Sequence, residues 1–235
     1  MSIATSLPPV AARAEVQALS SSLIREVANA GMGRADVLPF WFGESDQPTP
    51  EFIREAAIAS LSSGETFYSQ NLGRPYLREA IAGYLSALHG TDVAPGRIAA
   101  VGSGVSGLML AAQMVVSPGD RVVAVTPLWP NITEIPKILG ANVERVPLTV
   151  ANGKWSLDLD RLLAALTPGT RMVIINSPNN PTGWTIEEHE VDAVLAHCRR
   201  HGIWVLADDV YERLVHDPAR RSAPSFLRRY EPGDR

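Results

Sequence analysis

The sequence has 235 residues, of which 46% are hydrophobic, so it is long enough to bury a core in one domain with at most a small appendage. Its 21 basic and 25 acidic residues give a net charge of -4, which disfavours binding to nucleic acid or anionic membranes. A single cysteine, short apolar runs and an N-terminus unlike a signal peptide lead us to expect a cytoplasmic protein without disulfides.

The first 45 residues differ in pattern from the rest of the chain. After a loose start, residues 14–31 have a helical pattern, and residues 37–50 are rich in turn formers. We therefore predict an N-terminal arm and part of a small lobe over residues 1–45, followed by one large domain over residues 46–235.

Two helices are predicted at the start of the large domain. The first covers residues 49–64, with Thr49 as N-cap, Pro50 at the first helical position and Gly64 as the stop. The second covers residues 75–90 and also ends at a glycine.

From residue 97 onward, short β-rich runs alternate with helical ones, which is typical of parallel strands joined by crossover helices. The run 142–148 alternates polar and apolar residues, so we expect it at an edge of the sheet. The predicted fold is a doubly wound α/β sheet, mainly parallel, with flanking helices. The predicted strands are 97–102, 121–126, 142–148, 171–177 and 202–208, and the predicted helices between them are 105–116, 131–140, 158–167 and 185–202.

Residues suited to one ligand follow four of these strands. A glycine-rich turn, SGVSG at 103–107, opens a helix whose amides favour an anion such as phosphate. Trp129, the PNNPTG segment at 178–183 and the ADDVY segment at 207–211 follow the others. Because the carboxyl ends of parallel strands meet at one edge, the pattern predicts a cleft for an anionic ligand with a flat ring.

Other interpretations of these residues are open. Each could be structural, since turns use Asn, Pro and Gly, and Asp208 could cap a helix. Gly102, Gly104 and Gly107 also fit the G-x-G-x-x-G pattern of dinucleotide sites, but Thr126 stands where that site needs an acidic residue.

A metal site is a further alternative. His197, Cys198 and His201 share one predicted helix, and histidines four residues apart can bind one metal ion. No third ligand has suitable spacing, so we predict no metal site.

Four segments of the sequence resemble those of the pyridoxal-phosphate-dependent aminotransferases of fold type I, class I/II. They are FGESDQPTPEFIREAA, YSQNLGRPYLREAIAGYL, NSPNNPTG and ADDVY, and the likeness runs from about residue 15 to about residue 217. The resemblance implies the large domain of such a transferase, pyridoxal 5′-phosphate as cofactor, and amino-group transfer between an amino acid and a 2-oxo acid. It also implies a homodimer.

The resemblance assigns the cofactor phosphate to the start of one helix. Gly104 and Val105 would donate their amide N–H groups to the phosphate, with Ser103 beside them. Tyr68 would reach the phosphate in the neighbouring subunit of the homodimer.

The same resemblance assigns the cofactor ring and the substrate. Trp129 would stack on the pyridine ring, Asn180 and Tyr211 would bind its hydroxyl oxygen, and Asp208 would pair with its nitrogen. Gly43 would lie near the substrate carboxylate, and Asn180 would also serve that side. An aspartate beside the ring nitrogen keeps it protonated, which makes the ring an electron sink.

The second carboxylate, Asp209, is expected to be solvated or to cap a helix.

The sequence departs from the family pattern in lacking the lysine that forms the Schiff base, so no catalytic residue is assigned. That lysine would lie roughly 30 residues beyond Asp208, and the two lysines of the sequence, Lys137 and Lys154, stand elsewhere. We expect the front portion of an aminotransferase, truncated before the lysine and incomplete at the C-terminal end of its sheet. The alternative is an inactive remnant that binds cofactor or dimerises.

Overall fold

The computed structural model describes residues 11–235, and the first ten residues of the predicted arm lie outside this part. Eight α-helices and six strands occur within it. The strands are β1 (Arg121–Thr126), β2 (Asn142–Pro147), β3 (Thr149–Ala151), β4 (Lys154–Ser156), β5 (Thr170–Asn176) and β6 (Trp204–Asp208). The helices are α1 (Ala14–Gln17), α2 (Leu23–Gly31), α3 (Glu51–Ser62), α4 (Pro75–His89), α5 (Gly104–Val115), α6 (Pro130–Ile138), α7 (Leu159–Ala165) and α8 (Glu188–His201).

The main sheet has the order β2-β1-β5-β6, and every neighbouring pair is parallel. The chain runs from β1 to β2 on one side and then returns to place β5 on the other side of β1. This reversal is the point where doubly wound sheets open a crevice between the carboxyl ends of the strands. The predicted α/β fold is confirmed, and the 142–148 run forms the edge strand β2, as predicted.

The two faces of the sheet carry separate apolar clusters. Val123 and Ile175 face one cluster, which includes residues of α7 and α8 such as Leu162 and Val194. Neighbours along the same strands face the other, which includes Ile132 of α6 and residues 122, 124, 172 and 174. Because successive strand side chains point to opposite faces, the apolar residues 122–125 of β1 and 172–175 of β5 are covered on both sides of the sheet.

The predicted strand at 97–102 is absent. Residues 95–97 form a short 3₁₀ turn, Ile98 has an extended backbone, and the Ala100 amide donates to the Leu72 carbonyl at 2.9 Å. A strand requires a hydrogen-bonded neighbour. The described sheet has β2 and β6 as its edge strands, and residues 97–102 pair with neither of them.

The helix predicted over residues 14–31 is interrupted. It forms α1 and α2, and the Ser22 hydroxyl caps α2 by accepting from the Arg25 amide at 3.4 Å. Serine side chains compete with helical backbone bonds and favour such caps.

The helix predicted at residue 49 also begins later than expected. Pro50 is the N-cap of α3 and its side chain makes no capping bond, so assigning Thr49 as the cap was wrong. The predicted stop at Gly64 lies just beyond the end of α3, with φ +81°. The helix at 75–90 is confirmed, and it ends at Gly90 in a left-handed conformation.

A small hairpin of β3 and β4 was not predicted. Its turn is formed by Asn152 and Gly153, both at positive φ. Asn-Gly favours this two-residue turn, so the signal was present in the sequence. Within residues 11–235, no helix combines the length and the apolar content that crossing a membrane requires.

Candidate functional site

A cavity of about 730 Å³ lies at the carboxyl ends of the central strands. The turn after β6, the loop after β5, the segment after β1 and the start of α5 all contribute to its wall, together with residues 22–43 of the N-terminal segment. Seven of the residues predicted to form the site line it. They are Gly43, Gly104, Val105, Trp129, Asn180, Asp208 and Tyr211.

The start of α5 forms the part of the wall that is suited to an anion. Ser103 is the N-cap, and its hydroxyl accepts from the Ser106 amide at 3.2 Å. The first amides of a helix have no acceptor within the helix, so Gly104 and Val105 have N–H groups to offer a ligand. A Cβ atom built on Gly104 meets nothing within 4 Å, which shows open space in front of this turn.

Ser103 itself does not line the cavity. Its hydroxyl is engaged by the Ser106 amide and, at 2.9 Å, by the Ser106 hydroxyl. Its predicted contact with a phosphate therefore stays a prediction.

The third glycine of this turn serves packing. A Cβ atom on Gly107 would lie 3.2 Å from Val101 Cγ2, so glycine allows α5 to approach the preceding segment closely. That segment is not a strand in the structure, which removes the strand-turn-helix context required by the dinucleotide interpretation.

Trp129 lies between β1 and α6. It is the N-cap of α6, and Pro130 occupies the first helical position, where a proline costs no hydrogen bond. The Trp129 ring packs partly against the apolar cluster that includes Ile132, and it also borders the cavity. Its aromatic surface is therefore held by the core on one side and available to a ligand on the other.

Asp208 is the last residue of β6. Burial raises the pKa of its carboxyl above the ordinary value, and a hydrogen bond from the Val210 amide opposes this rise. The Asp208 carbonyl accepts from the Ser177 amide at 3.2 Å and from Asn176 Nδ2 at 3.0 Å. A partly desolvated carboxylate held in this way would be stabilised by a cationic ligand atom.

Asn176 connects two parts of the site and was missed by sequence reasoning. It is buried at the end of β5, where its Oδ1 accepts from the Asn180 amide at 2.8 Å while its Nδ2 donates to Asp208. The signal was an asparagine ending an otherwise apolar strand, since a buried amide requires partners.

Tyr211 and Gly43 lie on the same side of the cavity. A Cβ atom built on Gly43 would be 3.9 Å from the Tyr211 hydroxyl oxygen. Asn180 lines the cavity with them, so an amide and a phenol are available on one side of a bound ring.

Asp209 is not the solvated group that we expected. Its carboxylate accepts from the buried Ser225 hydroxyl at 2.7 Å. Burial raises the pKa of Asp209 to about 6, assisted by the nearby Glu212 and Asp208 carboxylates and opposed by the Ser225 bond.

Two residues of the N-terminal segment at the cavity were also missed. Arg25 of α2 lies with its guanidinium 4.8 Å from the Phe42 ring centroid, and both residues line the cavity. Among the described lining residues, Arg25 is the one cationic side chain, whereas Asp208 and Asp209 are acidic. An arginine in an amphipathic helix gave no signal that distinguished it from a surface residue.

Tyr68 and both lysines lie away from the cavity wall. Tyr68 is fully exposed, Lys137 Nζ donates to Glu134 Oε1 at 2.6 Å, and Lys154 stands in β4. The role assigned to Tyr68 at a partner's site stays a prediction.

His197 of α8 contacts the backbone of another element, and Cys198 is buried. His197 Nε2 lies 2.6 Å from the Leu166 carbonyl oxygen, and burial raises the pKa of the Cys198 thiol to about 12. Within residues 11–235, no three His, Cys, Asp or Glu residues are grouped as metal ligands.

A family model described as aminotransferase class I and II matches residues 35–232. The chain therefore belongs to the class I and II aminotransferase family. Enzymes of this family depend on pyridoxal 5′-phosphate.

Relatives with assigned names include aspartate and aspartate/prephenate aminotransferases. The chain is 35% identical over 190 residues to a probable aspartate/prephenate aminotransferase of Aquifex aeolicus, a match that covers 81% of this chain and 48% of the relative. It is 32% identical over 202 residues to an aspartate aminotransferase of Pyrococcus horikoshii, covering 86% and 51%. The chain thus spans about half the length of the curated relatives it matches.

Solved structures show the same fold. The aspartate aminotransferase from Thermus thermophilus with maleate matches with a TM-score of 0.83 and 30% identity. That match covers 90% of this chain and 56% of the solved chain.

The residues that line the cavity fit several parts of pyridoxal 5′-phosphate. Amides at a helix start suit its phosphate, an indole face suits its ring, and a partly buried carboxylate suits its protonated nitrogen. The open space at Gly104 leaves room for the phosphate.

Proposed function

We propose that the 730 Å³ cavity binds pyridoxal 5′-phosphate and that the protein takes part in amino-group transfer between an amino acid and a 2-oxo acid. The observation that carries this proposal is the meeting of Gly104, Trp129, Asn180 and Asp208 at one cavity, although they follow different elements. Membership of the class I and II aminotransferase family supports it.

Each residue has a specific task in this proposal. The Gly104 and Val105 amides bind the phosphate, and Trp129 covers one face of the ring. Asp208 holds a proton on the ring nitrogen, because the carboxylate stabilises the cationic form. The cofactor, when bound, supplies the electron sink for breaking the substrate Cα–H bond.

Two other residues would donate hydrogen bonds to the hydroxyl oxygen of the ring. Asn180 and Tyr211 donate to the ring oxygen and stabilise its anionic form. Gly43 would lie near the substrate carboxylate, beside the Tyr211 hydroxyl, which is 3.9 Å from a Cβ atom built on Gly43. Arg25 gives this cavity a positive charge for a substrate carboxylate.

The proposal is tested by calorimetric titration of the purified chain with pyridoxamine 5′-phosphate, which binds without forming a bond to lysine. We expect binding by the unmodified chain and a loss of at least about tenfold in affinity for Asp208→Ala, because a charged hydrogen bond is removed. Asp192→Ala is the matched control, since Asp192 pairs with Arg229 on the exposed face of α8. Absence of binding by the unmodified chain would overturn the proposal.

The second candidate is a cofactor-binding module that does not catalyse transfer by itself. The observation that favours it is that neither Lys137 nor Lys154 lines the cavity. Borohydride treatment with pyridoxal phosphate distinguishes the two. Permanent labelling at a single lysine with transaminase activity supports catalysis, whereas reversible binding without labelling supports the module.

We further propose that the protein acts in the cytoplasm as a homodimer in which Tyr68 reaches the partner's phosphate site. The exposed apolar side chains of Phe52, Ile58 and Leu61 on α3, together with exposed Phe67 and Tyr68, support a covered surface here. Light scattering tests the proposal. We expect the unmodified chain to be a dimer and the Phe52→Asp variant to dissociate. An unmodified chain that is monomeric at every protein concentration would contradict the proposal.

A further inference from the structure

The turn that follows β6 begins directly after Asp208 and carries Tyr211, both proposed ligand-binding residues, but it has few backbone bonds of its own. In residues 209–214, the Glu212 amide donates to the Asp209 carbonyl and the Leu214 amide donates to the Tyr211 carbonyl, each at 2.8 Å. The turn lies outside the sheet, and Val210 is exposed. This turn carries Tyr211, and its Val210 amide donates to Asp208 Oδ1 at 3.4 Å, so the orientation of both side chains depends on how the turn is held.

One such contact joins the turn to the end of α4. Glu212 Oε2 lies 2.9 Å from His89 Nε2, and the exposed fractions of the two side chains are only 15% and 1%. The two residues are 123 positions apart in the sequence. A hydrogen bond this well shielded from water is costly to break, because each partner would be left desolvated.

A third residue fixes the proton arrangement of this pair. Arg228 Nε donates to His89 Nδ1 at 3.4 Å, and its terminal nitrogens donate to the Ser222 hydroxyl at 2.6 Å and to Glu188 at 3.3 Å. An arginine can only donate, so His89 Nδ1 accepts, and the imidazole hydrogen is on Nε2, directed at Glu212. The Arg228 guanidinium, the His89 ring and the Glu212 carboxylate therefore form one hydrogen-bonded chain.

A second contact joins the turn to Ser225 in the segment 222–229. Asp209 accepts from Ser225, and the Ser225 hydroxyl also accepts from the Leu227 amide at 3.2 Å. The segment 222–229 that carries Ser225 also carries Arg228. The Ala223 amide adds a backbone bond to the Glu212 carbonyl at 2.8 Å.

We propose that His89, Glu212 and Arg228 are positioning residues, which hold the turn 209–212 so that Asp208 and Tyr211 face the cofactor cavity. None of the three lines the cavity. They act through the turn, with the Asp209–Ser225 bond as the second attachment. The effect that these residues have on cofactor binding rests on the proposed function.

The test compares His89→Leu with His89→Gln. Leucine removes both hydrogen bonds, whereas the glutamine amide can still donate to Glu212. We expect the affinity for pyridoxamine 5′-phosphate to fall about tenfold in His89→Leu and to recover to within about twofold in His89→Gln. His197→Leu is the matched control, because it removes another histidine hydrogen bond away from the cavity, and it should leave the affinity unchanged.

A second measurement needs no ligand. Hydrogen exchange at the amides of residues 209–213 should accelerate in His89→Leu and not in His197→Leu, whether or not the chain binds the cofactor. Failure of cofactor binding by the unmodified chain would therefore remove the proposed function while leaving this test of positioning intact.

Two results would overturn the positioning assignment. One is unchanged exchange in the turn of His89→Leu, and the other is an equal loss of affinity in His89→Leu and His89→Gln. If His89→Leu does not fold, Glu212→Met keeps a side chain of similar length and removes the acceptor that faces His89. Unchanged exchange in that variant would contradict the assignment in the same way.

Discussion

The centre of the main sheet and its β6 edge differ in how completely they are buried. Strands β1 and β5 are covered on both faces, and Val123, Val173 and Ile174 have no exposed surface. Strand β6 is only partly buried along its whole length, and the segment 97–102 pairs with no strand of the described sheet. The central strands and their helices therefore form a core by themselves, whereas the β6 edge and α3 expose apolar surface.

The largest effect is expected in the buried centre. Ile174→Ala removes a side chain with 0% exposure from β5 and leaves a cavity in the cluster that contains Val122 and Met172. We expect the free energy of unfolding to fall by about 4 kcal/mol. Urea denaturation measures the change, and a loss below about 1 kcal/mol would show that the centre is not a packed core.

A smaller effect is expected where the core meets the site, at Asp209. Its pKa of about 6 in the folded protein exceeds the ordinary value near 3.9, so folding favours the protonated form. The stabilisation from this group is complete below about pH 4 and is lost as the pH rises through about 6. The difference in pKa corresponds to at most about 3 kcal/mol.

The measurement for Asp209 is the free energy of unfolding from pH 4 to pH 7, compared with Asp209→Asn. Other carboxyls titrate in the same range, so the difference between the two proteins isolates this group. The free energy of unfolding of the unmodified protein should decrease relative to that of Asp209→Asn as the pH rises from 4 to 7. Parallel curves would mean that Asp209 titrates as a solvated group.

The smallest effect is expected on the outer surface of α3. Ile58 is 62% exposed, so Ile58→Ser should change the free energy of unfolding of a monomer by about 0.5 kcal/mol or less. A larger, concentration-dependent loss would show that this surface is covered by a second copy. The two outcomes therefore sharpen the contrast between the buried centre and the exposed side.

The same contrast separates what the sequence predicts from what it does not. The runs 121–126 and 171–177 each contain four consecutive apolar residues, and their strands form close to the predicted bounds because burial on both faces dictates that pattern. The run 97–102 has similar composition but no strand, since pairing depends on a neighbour that local sequence does not specify.

In the site, residues that follow strands were predictable, because parallel strands bring their carboxyl ends together. Asn180 and Asp208 reach one cavity for this reason. The burial of Asp209 was not predictable, because it depends on Ser225, which approaches only in the folded chain. The pairing of His89 with Glu212 across 123 positions has the same cause.

The most direct test of the account is a crystal structure of the chain with pyridoxamine 5′-phosphate. We expect the phosphate at about 3 Å from the amide nitrogens of Gly104 and Val105, the ring against Trp129 and the ring nitrogen beside Asp208. A ligand bound elsewhere, or a ring nitrogen with no carboxylate beside it, would contradict the proposal that these loops form one cofactor site.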